Sequence, residues 1–404
     1  MVRALVFAAL LLGSPVAAQE RLVIRAEPGT PVVATEVLIA AGPADEPEGK
    51  PGLANLAART VVAPIVSRLD SLGARLDIAA RKDALTFTLT ASPDVWERAS
   101  SILLVALFRD PPESRWMVLQ QRAIAAELEG REANPADAAL RTTDEAVFGK
   151  DHPWGRSTVG SVESVRKLTM ADVDEFLRSY VTSRRAVVAV VGPVEVTTAR
   201  THLLGFLDPS TPLPPQEWAP PTPAESIVRA DYNSITTWVS VSYPIPVNAD
   251  VEALEFLARL AMDELSFSPA RRSVYDVSSE VTPRRRGGEL RFQVVAPPEE
   301  AETWASRVRR LVEEDAGQTM IPGVFQIRLR RFRGERLHSL ASPEDRAREL
   351  ARQLLVTGRT RTLGTDLDAM TLERVHAAVR SLGAPTVVLL GPILDDASSS
   401  STGD

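Results

Sequence analysis

The chain contains no cysteine and only four histidines in 404 residues. Without thiols there is no disulfide framework, no thiolate metal site and no cysteine for a lipid anchor behind the N-terminal apolar run. The histidines are His152, His202, His338 and His376, and none has another histidine at i+3 or i+4. No helix can therefore present two imidazoles to a metal from one face. A basic excess is also missing. Lys and Arg total 46 against 53 Asp and Glu, a net charge of −7, so the chain lacks the electrostatic footprint of a nucleic-acid binder. No apolar run reaches the roughly 18–20 residues that span a bilayer. Neither a Ser-His-Asp arrangement nor a Gly-rich phosphate loop is found.

What is present begins with Met1-Val2-Arg3 and the apolar stretch Ala4–Leu12, closed by Val16-Ala17-Ala18. One charge, a short apolar core and small residues before a cut predict a secretory signal over residues 1–18 and a periplasmic location. The same segment, left uncleaved, would serve as an anchor. The mature chain is long enough for two domains and for a core that folds without disulfides.

Pro-rich sequence over residues 208–224 cannot carry a helix and predicts a linker. It separates an N-terminal domain, 21–207, from a C-terminal domain, 225–394. A Ser- and Asp-rich tail, 395–404, reads as disordered. The two domains look like copies of one plan. Each opens with an apolar strand (32–39; 236–243), then a helix (52–69; 251–265), a second strand (84–90; 288–295) and a long helix (93–108; 298–315). Each closes on a fully apolar strand before Gly-Pro (186–191; 386–390). Further helices are expected over 113–131 and 169–180, the latter capped by Thr169 with Asp172 three residues on. The order implies an α+β architecture, helices packed on one face of a mostly antiparallel sheet.

The segment from Gly42 through Gly52-Leu53-Ala54 to Asn55-Leu56-Ala57-Ala58-Arg59 resembles the entry to the active-site helix of the M16 (pitrilysin or insulinase-type, inverzincin) metallopeptidases. The likeness continues through Leu72–Asp77, Glu127–Pro135, Phe148-Gly149-Lys150-Asp151-His152-Pro153-Trp154-Gly155, Val159–Val165 and Leu168-Thr169. In the second half it takes in Tyr275–Ser279 and Ala296–Ala301. It covers nearly the whole mature chain and implies two homologous M16-type (LuxS/MPP-like) domains. Members of that family often pair as two chains closing around a peptide.

In that family the helix carries His-x-x-Glu-His, two zinc ligands and a water-activating Glu. Here those places hold Asn55, Ala58 and Arg59. Glu127 matches the third ligand, and one carboxylate does not hold zinc against water. No zinc or other cofactor is therefore expected. Arg59 would put a permanent cation where the metal sits, and its pairing with Glu127 is the expected neutralisation. The resemblance makes Tyr275 with Arg272 or Arg271 a substrate-gripping pair. The stretch before Tyr275 is shortened, and the residues read equally as a strand Tyr behind surface arginines. His152 reads as a structural hydrogen-bonding residue, and Arg284-Arg285-Arg286 as solvated hairpin charges. The reading is an inactive M16-like subunit, not an enzyme on its own. It pairs with a zinc-bearing M16 peptidase subunit to form a peptide chamber. The alternatives are a structural or peptide-holding homodimer and an active zinc endopeptidase with a non-standard site.

Overall fold

The computed structural model describes residues 20–131, 133–208, 211–215, 226–267, 272–314, 321–361 and 366–393. The signal segment, most of the Pro-rich stretch, the tail and Arg271 lie outside the described residues.

Two five-stranded sheets are built on one topology. The first contains β1 (Leu22–Ala26), β2 (Val33–Ile39), β3 (Arg75–Arg81), β4 (Ala84–Ala91) and β5 (Ala186–Gly192), in the order β1-β5-β2-β4-β3. The second contains β6 (Ser226–Asp231), β7 (Thr237–Ile245), β8 (Asp276–Arg284), β9 (Gly287–Ala296) and β10 (Thr386–Gly391), in the order β6-β10-β7-β9-β8. Among the described residues only the β1–β5 and β10–β6 pairs are parallel. The matching orders show a repeated α+β plan. β2 and β5 are buried along their whole length; β5 accordingly reads as an unbroken apolar run, whereas β2 is interrupted by Thr35 and Glu36.

The expected helix over 52–69 is interrupted. It runs Leu53–Val62, tightens into a 3-10 turn at Ala63–Ile65 and resumes at Val66–Asp70. Pro64 is the cause, since it has no N–H for the helical ladder and its ring crowds the preceding turn. Sequence reading also passed over the outer strands β1, β3, β6 and β8. Of these, β3, β6 and β8 are short in buried positions or alternate between half-buried and exposed, so they carry a weak apolar signal. Thr169 caps its helix as expected and exchanges hydrogen bonds with Asp172.

On one face of the first sheet lie helices of its own half, including Leu53–Val62, Trp96–Phe108, Ser114–Arg131 and Met170–Tyr180. The other face is covered by the Pro343–Thr357 helix of the second half. Its Ala347, Leu350, Ala351 and Leu354 bury against Ala34, Leu38, Val187 and Ala189. The exchange is reciprocal, because the Pro135–Phe148 helix of the first half packs Ala138 and Ala139 against Leu390 and Trp238 of the second sheet. Each half thus lends one helix to the other. Leu354 is fully buried at this seam. Leu354→Ala is expected to cost about 2–5 kcal/mol in denaturant unfolding, with the whole chain losing structure in one transition.

Glu36 of β2 faces the same seam. It is fully buried, and its Oε2 accepts a 2.5 Å hydrogen bond from Thr88. Burial pushes its carboxyl from an ordinary 4.5 to about 7, against the pull of Thr88, Arg348 and Arg81. A folded-state value above the unfolded one means stabilisation that is complete below pH 4.5 and is lost as pH rises through about 7. Melting temperature is therefore expected to fall between about pH 4.5 and 7, the interval in which the unfolded chain has ionised this carboxyl and the folded one has not. Glu36→Gln should remove that share of the slope, and an unchanged slope would contradict it.

Candidate functional site

The site follows from how the Leu53–Val62 helix is started and what lies beside it. Gly52 has φ +92°, and a Cβ there would stand 2.6 Å from the Val159 carbonyl oxygen, so only glycine fits. The helix has no capping side chain of its own at that position. Glu46 supplies one from the preceding loop and accepts from the N–H groups of Gly52 (3.1 Å) and Ala54 (2.8 Å). Burial pushes the Glu46 carboxyl up to about 8, although those donors and Arg156 favour its anion. Sequence reading missed Glu46, because its partners are backbone groups that leave no residue pattern.

Asn55 and Arg59 lie one turn apart, both half-buried, while Ala58 between them is completely buried. The Ser114–Arg131 helix packs against this one and presents Glu127 to it. Arg59 Nη1 donates to Glu127 Oε2 at 2.8 Å and Nη2 to Oε1 at 2.9 Å, a two-pronged pairing. Nε donates to Gln120 at 3.0 Å. The contact expected between Arg59 and Glu127 is therefore present. The hydrogen bonds from Arg59 hold the Glu127 carboxyl below its ordinary value. Gln120 was not foreseen; it stands two turns before Glu127 on the same helix face.

Zinc does not fit this donor set. Asn55 offers an amide, Ala58 a methyl and Arg59 a guanidinium already spanning the remaining carboxylate. Among the described residues no group of three or more His, Asp or Glu lies close enough to hold a metal ion. The second half carries the same arrangement. In the Val251–Phe267 helix, Ala258-Arg259 repeats Ala58-Arg59, and Arg259 forms ion pairs with Asp263 at 2.8 Å and Glu335 at 3.0 Å. Glu335 and Glu127 are each the fourteenth residue of an 18-residue helix. An Arg–Glu ion pair between equivalent helices thus occurs in both halves.

Tyr275 and Arg272 stand elsewhere. Tyr275 precedes the edge strand β8, its N–H donates to the Val295 carbonyl, and its side chain is exposed. Arg272 is exposed as well, and Arg271 lies outside the described residues. No hydrogen bond or ion pair among the described residues joins Tyr275 or Arg272 to the Arg59–Glu127 pair. His152 accepts at Nδ1 from the Trp154 N–H and caps a short turn, a structural use.

Arg284 and Arg285 are not solvated hairpin charges. Arg284 is buried, with its guanidinium over the rings of Trp154 (4.8 Å) and Phe148 (5.3 Å). Burial lowers Arg285, which donates to the Pro214 carbonyl. These residues border a charge network between the halves. Arg291 grips Glu289 (2.7 and 3.1 Å) and reaches Asp144 at 3.5 Å, and Lys82 pairs with Asp144 at 2.8 Å. The β8–β9 turn is pressed against the first half, so charges that read as surface residues become interdomain ones.

No family model matches the sequence. By structure, the chain is similar to the peptidase M16 inactive domain from Pseudomonas fluorescens, with a TM-score of 0.79 at 19% identity over 94% of this chain and 97% of that one. It is also similar to a chain of complex III2 from Candida albicans, with a TM-score of 0.76 at 13% identity over 92% and 93%. By sequence, it is 37% identical over 89 residues to an uncharacterized zinc protease of Mycobacterium bovis. That match spans 21% of this chain and 20% of the relative. The chain has the M16 peptidase fold, two related α+β domains in one polypeptide.

Proposed function

We propose that this chain is a non-catalytic member of the M16 peptidases, exported to the periplasm, which pairs with a zinc-bearing M16 subunit and walls a chamber for peptides. The observation that carries the reading is the Arg59–Glu127 clamp at the position of the family's metal. A scaffold that keeps both domains while tying the third-ligand carboxylate to an arginine serves shape and binding rather than bond cleavage. Zinc and other cofactors have no part in it.

Peptide binding is supported by the sheet edges. Among the described residues β3 pairs only with β4, and β8 only with β9. An extended peptide can add to such an edge through backbone hydrogen bonds. β3 also packs beside the Leu53–Val62 helix, so a strand added there would run past the clamp. Tyr275 and Arg272 remain the proposed substrate-gripping residues near the start of β8.

The pairing is supported by a likeness in fold to a chain of a multisubunit complex. A homodimer that holds peptides without a protease is the second reading, favoured by the same exposed edges. Co-expression with a zinc-bearing M16 chain of the same organism, followed by size analysis and a peptidase assay, decides between them. The proposal expects a complex and an activity that drops when this subunit is omitted. A partner equally active alone, with no complex formed, would refute it.

A further inference from the structure

A cavity of about 860 Å³ opens next to the clamp, between the end of the Ser114–Arg131 helix, the start of the Pro135–Phe148 helix and the 157–161 loop. Leu128, which follows Glu127, lines it together with Leu140, Val159 and Val162. Its volume lies within the range of about 300–1,000 Å³ common to small-molecule and peptide side-chain sites. Two acid–base pairs in the lining cancel each other's charge: Arg166 reaches Glu129 at 2.6 Å, and Lys167 reaches Glu163 at 2.6 Å. What remains is Arg131, Arg141 and Asp137. Asp137 and Arg141 lie one turn apart on the same helix and yet form no ion pair. Among the described residues neither Arg131 nor Arg141 has a hydrogen-bond or ion-pair partner. The uncancelled balance of the cavity is one positive charge, carried by guanidinium forks whose geometry matches a carboxylate.

We propose that this cavity binds the carboxylate end of a peptide whose last side chain is apolar. Arg131 and Arg141 take the carboxylate, and Leu128, Leu140, Val159 and Val162 receive the side chain. Asp137 adds a selective element, because it repels a second anion and accepts from the terminal peptide N–H. That the anion belongs to a peptide rests on the chamber reading above, whereas the pairing of an anion with an apolar group rests on the cavity alone.

The test is calorimetric titration of the full chain with N-acetyl-leucyl-leucine as the free acid and as its C-terminal amide. The acid is expected to bind at least about tenfold more tightly, since a charge-assisted pair is lost with the amide. In the Arg131→Gln/Arg141→Gln variant the two ligands should bind equally. Both arginines are exposed, so the variant should melt with the parent. Equal affinity for acid and amide in the parent overturns the inference, as does a preference that survives in the variant. A longer peptide amidated at its C-terminus separates this result from the chamber reading. If it binds while acid and amide do not differ, the cavity inference falls and the chamber stands. If it fails to bind while the acid preference holds, the chamber falls and the cavity remains an anion site.

Discussion

Asn55→His/Arg59→His is expected to create a site that binds a single zinc ion tighter than about 1 μM, about 8 kcal/mol at a 1 M standard state. Asn55 and Arg59 sit one turn apart on one helix face, and Arg59 is within 2.9 Å of both Glu127 oxygens. Two imidazoles there, with the freed carboxylate, make the three protein ligands that a zinc site with an open position uses. Equilibrium dialysis or competition with a chelating dye reads the result, and Glu127→Gln added to the double variant should weaken it sharply. Failure of the double variant to bind zinc would mean that the helix pair is not a converted metal site. Peptidase activity is not expected to return with the metal. The family's water-activating Glu falls at Ala58, which has no exposed surface, and a carboxylate there would be buried without a partner.

Glu289→Ala should be the most destabilising single change at the boundary between the halves, costing about 3–5 kcal/mol in denaturant unfolding. Glu289 has no exposed surface and is held by Arg291, with Arg284 at 3.9 Å. Burial would raise its carboxyl, but Arg291 and Arg284 outweigh that and keep it below the ordinary value. Removing it leaves two buried guanidinium groups beside Lys82, with Asp144 and, for Arg291, Glu280 as remaining carboxylates. By contrast, Arg59→Ala should cost less than about 1 kcal/mol, because Glu127 is half in solvent. If both variants unfolded at the same denaturant concentration, the interdomain network would not be the strong point described.

The architecture was legible wherever burial on both sides of a strand wrote an unbroken apolar run, as in 186–191 and 386–390. It was legible too where a helix start carries its own cap, as at Thr169. Asn55, Ala58, Arg59 and Glu127 are singled out by the resemblance to the M16 metallopeptidases, and the Arg59–Glu127 contact expected from it is present. Other features were not legible. Glu46 caps by touching backbone, and Arg284 is apolar in its surroundings only because Trp154 and Phe148 come from the other half. The Pro343–Thr357 helix shows an ordinary apolar stripe that gives no sign of which sheet it serves. Such facts belong to pairs of distant segments, and one-dimensional patterns do not record the partner. Glu335 is an instructive miss: the repeat of Ala58-Arg59 as Ala258-Arg259 was visible in the sequence, but its meaning required the second helix of each pair.

The reciprocal loan of helices also governs how the molecule can move. A hinge between the halves would have to pull Leu350 and Leu354 off one sheet and Ala139 off the other at once, exposing two apolar seams. The chain should therefore travel as one rigid shell. In the two-chain pairing proposed above, admission and release of a peptide would then fall to the contact with the second chain, and the opening rate would be a property of that contact.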